Sequence, residues 1–424
     1  MTRRSKVVVV SLAVAFSGAS CGGWQISDQR RNEPVSEGGA GGEANDDGGM
    51  GDDAGVTPCA VDMSGATPAP ARMGLRIVQN EIQDADGVRV VLRGVNRSGS
   101  EYMCMRAAGF FDGPGADAAA EQSVRAIAAW KVNAVRVPLN ESCWLGTGGA
   151  PEAFSGQAYK DVIRSYVALL QKYGIVPILD LHWAAPGDLP AIRLQPMPNA
   201  DHTPDFWADV AQTFMDNSGV VFELYNEPYP DSNRDTTAAW SCWRDGCEVN
   251  RSGYVEGDGA PRAYAAAGMQ SLVDAIRATG SSHVILLGGV QYSNALTGWL
   301  EYRPSDQLGQ LAAAWHVYNF NGCREIGCFG GAPTDVAREV PVVATEIGQN
   351  DCEGEAFLSP LLEFLDSQNS GYLAWSWNAF GVCSPEVRPG TTGQPWSLVT
   401  SYTCPEPNSN YARTFFDHLR GGLP

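Results

Sequence analysis

Eight short apolar runs alternate with amphipathic stretches along most of this chain, and that alternation leaves few architectures open. The runs cover residues 90–95, 134–139, 176–182, 220–226, 284–288, 313–318, 342–346 and 372–377. Between them, Tyr159, Val162, Ile163, Tyr166, Val167 and Leu170 follow the spacing of one helix face, and Gly174 stops it. Met269, Leu272, Val273 and Ile276 repeat the stripe ahead of Gly280, and residues 357–364 make another apolar helix. Strands alternating with helices imply right-handed βαβ units and a parallel sheet. Eight such units predict an α/β fold of the closed (β/α)8 kind, the TIM barrel, and 424 residues fit one barrel with insertions. No Gly-rich phosphate loop opens a helix, which disfavours a nucleotide-binding sheet.

The strand ends carry groups that packing does not require. The stretch Val220-Val-Phe-Glu-Leu-Tyr-Asn-Glu-Pro ends where Pro228, lacking an N–H, cannot continue a central strand. Alternation along it would place Glu223, Tyr225 and Glu227 on one face. Val342-Val-Ala-Thr-Glu346 ends in the same way. Other runs end at Arg136, at Asp180 and His182, at His316 and Tyr318, and at Trp375 and Trp377. In a closed barrel inward groups of this kind converge at one mouth. Two carboxylates there suit glycosidic cleavage, which takes a proton donor and an anion flanking one anomeric carbon. Each group also has a plainer reading. Arg136 fits a core ion pair, Asp180 and His182 fit hydrogen-bonded core positions, and the tryptophans fit ordinary packing. His182 and His316 lack the spacing of a metal motif, so no metal or cofactor is expected.

The N-terminus reads as an export signal. Arg3, Arg4 and Lys6 precede an apolar stretch at 7–16 that is too short to span a bilayer. Ser17-Gly18-Ala19-Ser20-Cys21 follows, so residues 1–21 resemble a bacterial lipoprotein signal, in which the cysteine is lipidated. Gly18 departs from that pattern, which usually has Leu; the alternative is ordinary cleavage that leaves Cys21 unpaired. From 25 to 58 the chain is rich in Gly, Asp and Glu and has no aromatic residue, which predicts a disordered spacer. We bound that linker at 22–72 and the folded domain at 73–424. The domain would open with a β-hairpin over 75–92, turning at Asp86-Gly87. A net charge of −19 argues against nucleic acid and anionic membrane surfaces as partners, leaving Cys21 as the membrane contact. A monomer, extracellular or held at the cell surface, is expected.

The ordered motifs resemble glycoside hydrolase family 5, the cellulase-type family of retaining β-glycosidases. They are Leu92-Arg-Gly-Val-Asn96, Ala134-Val-Arg136-Val-Pro, Leu179-Asp-Leu-His182-Trp, Tyr225-Asn226-Glu227-Pro228, Trp315-His316-Val-Tyr318, Thr345-Glu346-Ile-Gly and Ala374-Trp375-Ser. The resemblance runs from about Leu75 to Leu419. It implies Glu227 as acid/base, Glu346 as nucleophile and Asn226 as the partner of the sugar 2-hydroxyl. Arg136 and Tyr318 would hold Glu346 ionised, His182 and His316 would line the cleavage subsite, and Trp375 would stack beneath the sugar. Trp144, Trp183, Tyr229 and Phe320 are stacking platforms or loop anchors. The implied substrate is a β-linked polysaccharide or oligosaccharide, cellulose-type β-1,4-glucan first. The alternatives are an exo-acting β-glycosidase, a mannan- or galactan-directed relative, or a surface lectin that binds glycan without cleaving it. An insertion within 229–283, carrying Trp240-Ser-Cys242-Trp243-Arg-Asp-Gly-Cys247, bears on which glycan fits.

Eleven cysteines are an odd number for an exported protein, and setting Cys21 aside leaves ten. Cys242 would pair with Cys247 and Cys323 with Cys328, each within one short loop. Cys104 with Cys143, and Cys352 with Cys383, would join neighbouring loops at the mouth, leaving Cys59 for Cys404.

Overall fold

A computed structural model of the protein describes residues 59–250, 262–380 and 396–421. The apolar runs form a closed barrel of eight strands, each paired in parallel with its neighbours. In chain order these are β1 (Arg93–Asn96), β2 (Ala134–Asn140), β3 (Val176–Trp183), β4 (Val221–Glu223), β5 (Ile285–Gly288), β6 (Leu311–Tyr318), β7 (Val342–Gly348) and β8 (Gly371–Ala374). Pairing of β8 with β1, Tyr372 opposite Arg93, closes the ring. A helix follows each strand: α1 (Ala120–Ala128), α2 (Gln157–Lys172), α3 (Thr203–Thr213), α4 (Met269–Ala278), α5 (Trp299–Tyr302), α6 (Ala332–Glu339), α7 (Glu355–Ser367) and α8 (Asn410–Arg420).

The stripe read from sequence is the buried face of α2: Tyr159, Ile163, Tyr166, Val167 and Leu170 are sealed against the barrel. Gly174 follows at φ +70°, a left-handed turn that a side chain would strain. On α8 the N-cap Ser409 accepts a hydrogen bond from the Ala412 N–H.

Two apolar layers hold the barrel. Alternate strand residues such as Val135, Leu179, Phe222, Leu287 and Trp315 point outward to the helices. Ala134, Val176, Ile178, Val221, Leu286, Ala312, Val343 and Leu373 fill the interior towards the strand starts. Leu75, Ile82 and Leu92 plug that end from the N-terminal hairpin. Each large aliphatic side chain so buried contributes about 1.5–3 kcal/mol. With the lower barrel filled by hydrocarbon, polar inward residues are confined to the opposite mouth.

The structure differs from expectation at three places. The hairpin pairs Arg76–Val78 with Glu81–Gln83 and turns at Gln79-Asn80, where Gln79 takes a positive φ. Asp86-Gly87 makes a second turn, at which Val88 and Val90 bond back to Asp84 and Ile82. The boundary between linker and domain lies earlier than 72. Residues from Cys59 onward pack on the domain, because Ala66 is buried, Ala69 bridges to Tyr173 and Arg72 pairs with Asp84. Finally, β4 stops at Glu223 and β8 at Ala374, both short of the predicted ends.

Disulfides join Cys59–Cys404, Cys104–Cys143, Cys242–Cys247 and Cys323–Cys328, as paired from the sequence. Cys352 is also disulfide-bonded. Its expected partner Cys383, the leader with Cys21, and the spacer up to residue 58 lie outside the described residues.

Candidate active site

Arg136 is the hub of the mouth. Its strand begins with apolar side chains, and the guanidinium emerges just above them, fully buried. Its Nε donates to Glu223 Oε2 (2.7 Å), and Nη1 donates to Glu346 Oε1 (2.6 Å) and Asn96 Oδ1 (3.0 Å). Nη2 donates to Asn226 Oδ1 (2.7 Å) and lies 3.0 Å from Asp180 Oδ2. Side chains from four strands, and from the turn just past one of them, thereby meet on the cation of a fifth. Burial disfavours the charged guanidinium, but Asp180, Glu223 and Glu346 outweigh it and raise its pKa further. Removing one member of such a buried set costs about 3–5 kcal/mol, since it strands the others without a counter-charge.

The two candidate glutamates have different surroundings. Glu346 is buried, and besides Arg136 its Oε2 accepts from the Tyr318 hydroxyl at 2.6 Å. Burial pushes its carboxyl up; the charges of His316 and Arg136 and the Tyr318 hydrogen bond outweigh that and hold it below the ordinary value. Among the described residues Glu227 has the His316 ring as its one hydrogen-bond partner, Nδ1 to Oε1 at 3.1 Å. Desolvation and the nearby charge of Glu346 raise its carboxyl despite that contact. One anion and one proton carrier result. Oxygens of the two carboxylates and the His316 nitrogen all lie within 4.8 Å of one another. That spacing is also within the reach of a metal, but the Arg136 cation and the Tyr318 hydroxyl already occupy the Glu346 oxygens. His316 stands between the carboxylates, its Nδ1 being 3.6 Å from Glu346 Oε2, and Glu346, Glu223 and Glu227 together push it up to about 10, against its burial.

The remaining groups complete one wall. Asp180 Oδ2 meets His182 Nδ1 at 2.7 Å, which turns Nε2 towards the cleft. The His182 ring lies parallel to that of Trp375, centroids 5.4 Å apart. Asn226 presents its amide N–H groups outward, because its Oδ1 is committed to Arg136. Thus all eight residues singled out from sequence, Arg136, His182, Asn226, Glu227, His316, Tyr318, Glu346 and Trp375, gather at this mouth.

Some neighbours go elsewhere. Tyr225 does not share a face with Glu223 and Glu227. The regular strand ends at Glu223, and although the Leu224 and Asn226 N–H groups still bond Leu286 and Leu181, Tyr225 turns outward to bond Gln195. Trp377 likewise leaves the mouth and packs edge-on against Trp130 (5.1 Å). Trp144 is sealed between Tyr159 and Phe206 and is core, not a platform. Trp183 and Tyr229 are half-buried, and Phe320 is exposed.

Sequence reasoning missed the turn after β5. Ser293 accepts from the His316 N–H and donates to the Asn226 carbonyl (2.8 Å), and Tyr292 packs on Tyr229 with centroids 4.8 Å apart. Its signal was the polar run Gln291-Tyr-Ser-Asn294 directly after an apolar strand. Asn96, on Arg136, was legible only as part of the first motif.

A closed parallel barrel with a differentiated carboxylate pair at the C-terminal mouth is the equipment of a glycoside hydrolase. Residues 84–381 match the model of the cellulase family, glycosyl hydrolase family 5, and the chain belongs to that family, whose members hydrolyse O-glycosyl bonds. It is 20% identical over 314 residues to a mannan endo-1,4-beta-mannosidase of Salipaludibacillus agaradhaerens, covering 72% of this chain and 81% of that one. Against endoglucanase E-5 of Thermobifida fusca it is 20% identical over 348 residues, covering 78% of this chain and 62% of the other, less than two thirds. Among solved structures, a β-glucanase from Saccharophagus degradans in complex with cellotetraose superposes with a TM-score of 0.57 at 18% identity, covering 87% of this chain and 98% of that one. A β-mannanase from Streptomyces thermolilacinus with mannohexaose gives 0.55 at 19% identity, covering 83% and 95%. At these identities the structural likeness is one of fold.

Proposed function

We propose that the protein cleaves internal β-1,4 linkages of a polysaccharide with retention of configuration, cellulose-type glucan first. The unequal pair carries this reading: Glu346 is clamped as an anion by Arg136 and Tyr318, whereas Glu227 is raised and open. Carboxylate oxygens within 4.8 Å suit direct attack, as retaining enzymes hold these groups about 5–5.5 Å apart and inverting ones about 6.5–9.5 Å. Glu346 attacks the anomeric carbon while Glu227 gives its proton to the leaving oxygen. Glu227, now ionised, takes a proton from water, which displaces Glu346 from the sugar. The outward amide of Asn226 binds the 2-hydroxyl, and His182 Nε2 a further hydroxyl. A β-1,4-mannan backbone is the second reading, favoured by the mannanase among the relatives.

The roles separate by leaving group. Glu346→Ala should abolish cleavage of every substrate. Glu227→Ala should still give a burst with an aryl glycoside, whose leaving group needs no proton, then stall until azide restarts it as the β-glycosyl azide. Reversed behaviour would exchange the roles, and first release of the opposite anomer would make the mechanism inverting. Reducing-sugar release from glucan, mannan and galactan decides the substrate, and a failure on all of them favours a lectin.

A further inference from the structure

Glu101 is a buried carboxyl that the reaction above leaves unused. It lies on the loop after β1, 3% exposed. The backbone there is fastened independently of the side chain. Asn140 Nδ2, at the end of β2, donates to the Glu101 carbonyl (2.7 Å), the Ser100 hydroxyl donates to the Pro138 carbonyl, and Tyr159 donates to the Ser100 carbonyl. The Cys104–Cys143 disulfide ties the same loop three residues on.

The carboxyl itself is poorly supplied. Oε2 accepts from the Gly99 N–H at 2.7 Å and the residue's own N–H adds a backbone contact, and among the described residues no other residue donates to the carboxyl. Oε1 has no partner among the described residues and is not sealed from solvent. The other buried acids of these loops are filled. Glu141 accepts from the Ala185 N–H, Asn199 and Thr203, and Asp112 from Arg97 and Tyr102. A buried carboxyl short of donors is costly, which leaves Glu101 with acceptor capacity for a donor from outside the chain.

The surroundings say what they belong to. His182 is the charged group that acts on Glu101 most strongly. That ring lies parallel to Trp375, and the next residue, Tyr102, meets Trp183 with centroids 6.3 Å apart. Glu101 therefore shares its wall with the groups placed around the sugar that Glu346 attacks. We propose that Glu101 recognises that sugar, its open Oε1 accepting hydrogen bonds from ring hydroxyls of a neutral glycosyl unit. This rests on the glycosidase reading.

The test uses 2,4-dinitrophenyl β-cellobioside and β-mannobioside together with analogues deoxygenated singly on the sugar that carries the aryl group. Wild type should lose about 10- to 100-fold in kcat/KM at one deoxy position, and Glu101→Ala should lose that factor on the parent and nothing more on the matching analogue. Glu101→Gln, which keeps the volume and one acceptor, should recover part of the loss and covers the case in which the alanine variant does not fold. Penalties that simply add, variant on top of analogue at every position, overturn the proposal and leave the glycosidase reading intact. A wild type that cleaves neither glycoside overturns both.

Discussion

At the scale of the residue, the chemistry follows from unequal solvation of two glutamates. Glu346 is buried and Glu227 half-buried, and desolvation raises both; of the two, Glu346 also carries the Arg136 guanidinium and the Tyr318 hydroxyl on its oxygens. Its ionisation therefore sets the acid limb of kcat/KM, which should fall below the ordinary 4.5 of a glutamate, whereas Glu227 sets the alkaline limb above it. Arg136→Lys keeps the charge but lacks the fork that reaches Glu223, Glu346 and Asn226 together. That variant should lose about 10²-fold in kcat/KM and shift the acid limb upward, because Glu346 would be less well held as an anion. A pH profile of both proteins checks this, and an unmoved acid limb would contradict the role given to Arg136.

At the scale of the element, strand ends decide what reaches the mouth. Where a ladder continues, alternation holds: Asp180 with His182, and His316 with Tyr318, stay on one face. Past the regular strand ends the backbone still bonds its neighbours, Asn226 N–H to the Leu181 carbonyl and Trp377 N–H to that of Asn96, but Tyr225 and Trp377 turn their side chains away from the mouth. Two facing turns beside Glu227 put such redirection to use. Asp231, Ser232 and Asn233, and opposite them Gln291, Tyr292 and Ser293, all take positive φ, and Gln291 Nε2 donates to the Asn233 carbonyl. A left-handed side chain costs about 1–2 kcal/mol per residue, so surrounding contacts must fix it. Here the turns set Tyr292 against Tyr229 beside the proton donor, where a leaving sugar would stack. Tyr292→Ala should raise KM for polysaccharide about 3- to 10-fold while sparing an aryl glycoside that has no sugar on that side. Equal effects on both substrates would remove the platform role.

At the scale of the whole molecule, the ends of the domain are joined. Cys59 is bonded to Cys404, and the Ala60 N–H donates to Glu406. Replacing both cysteines by alanine should lower the unfolding free energy by about 2–4 kcal/mol in urea titrations, with kcat/KM on an aryl glycoside unchanged, since neither residue touches the mouth. These bonds also bear on compartment. We propose that the chain is exported and lipid-anchored at Cys21. Cys21→Ser should move the protein from the membrane fraction to the soluble one with its activity intact, and unchanged fractionation would remove the anchor.

Much of this was legible in one dimension because burial imposes period. A strand sealed on both faces must be apolar, a helix on a barrel must be striped, and eight repeats of that pair leave little but a closed ring. Polar groups at the strand ends stood out for the same reason, so all eight candidate residues could be named before their distances were known. Other features depended on which atoms meet across the ring. The two glutamates differ because Arg136 and Tyr318 reach one, while among the described residues the other meets His316, and their strands are far apart in the chain. The turns that carry Tyr292 and Ser293, the outward swing of Tyr225, the sealing of Trp144 and the partner-poor carboxyl of Glu101 have no period to betray them. They depend on contacts between segments distant in the chain, and for that reason only the folded structure decided them.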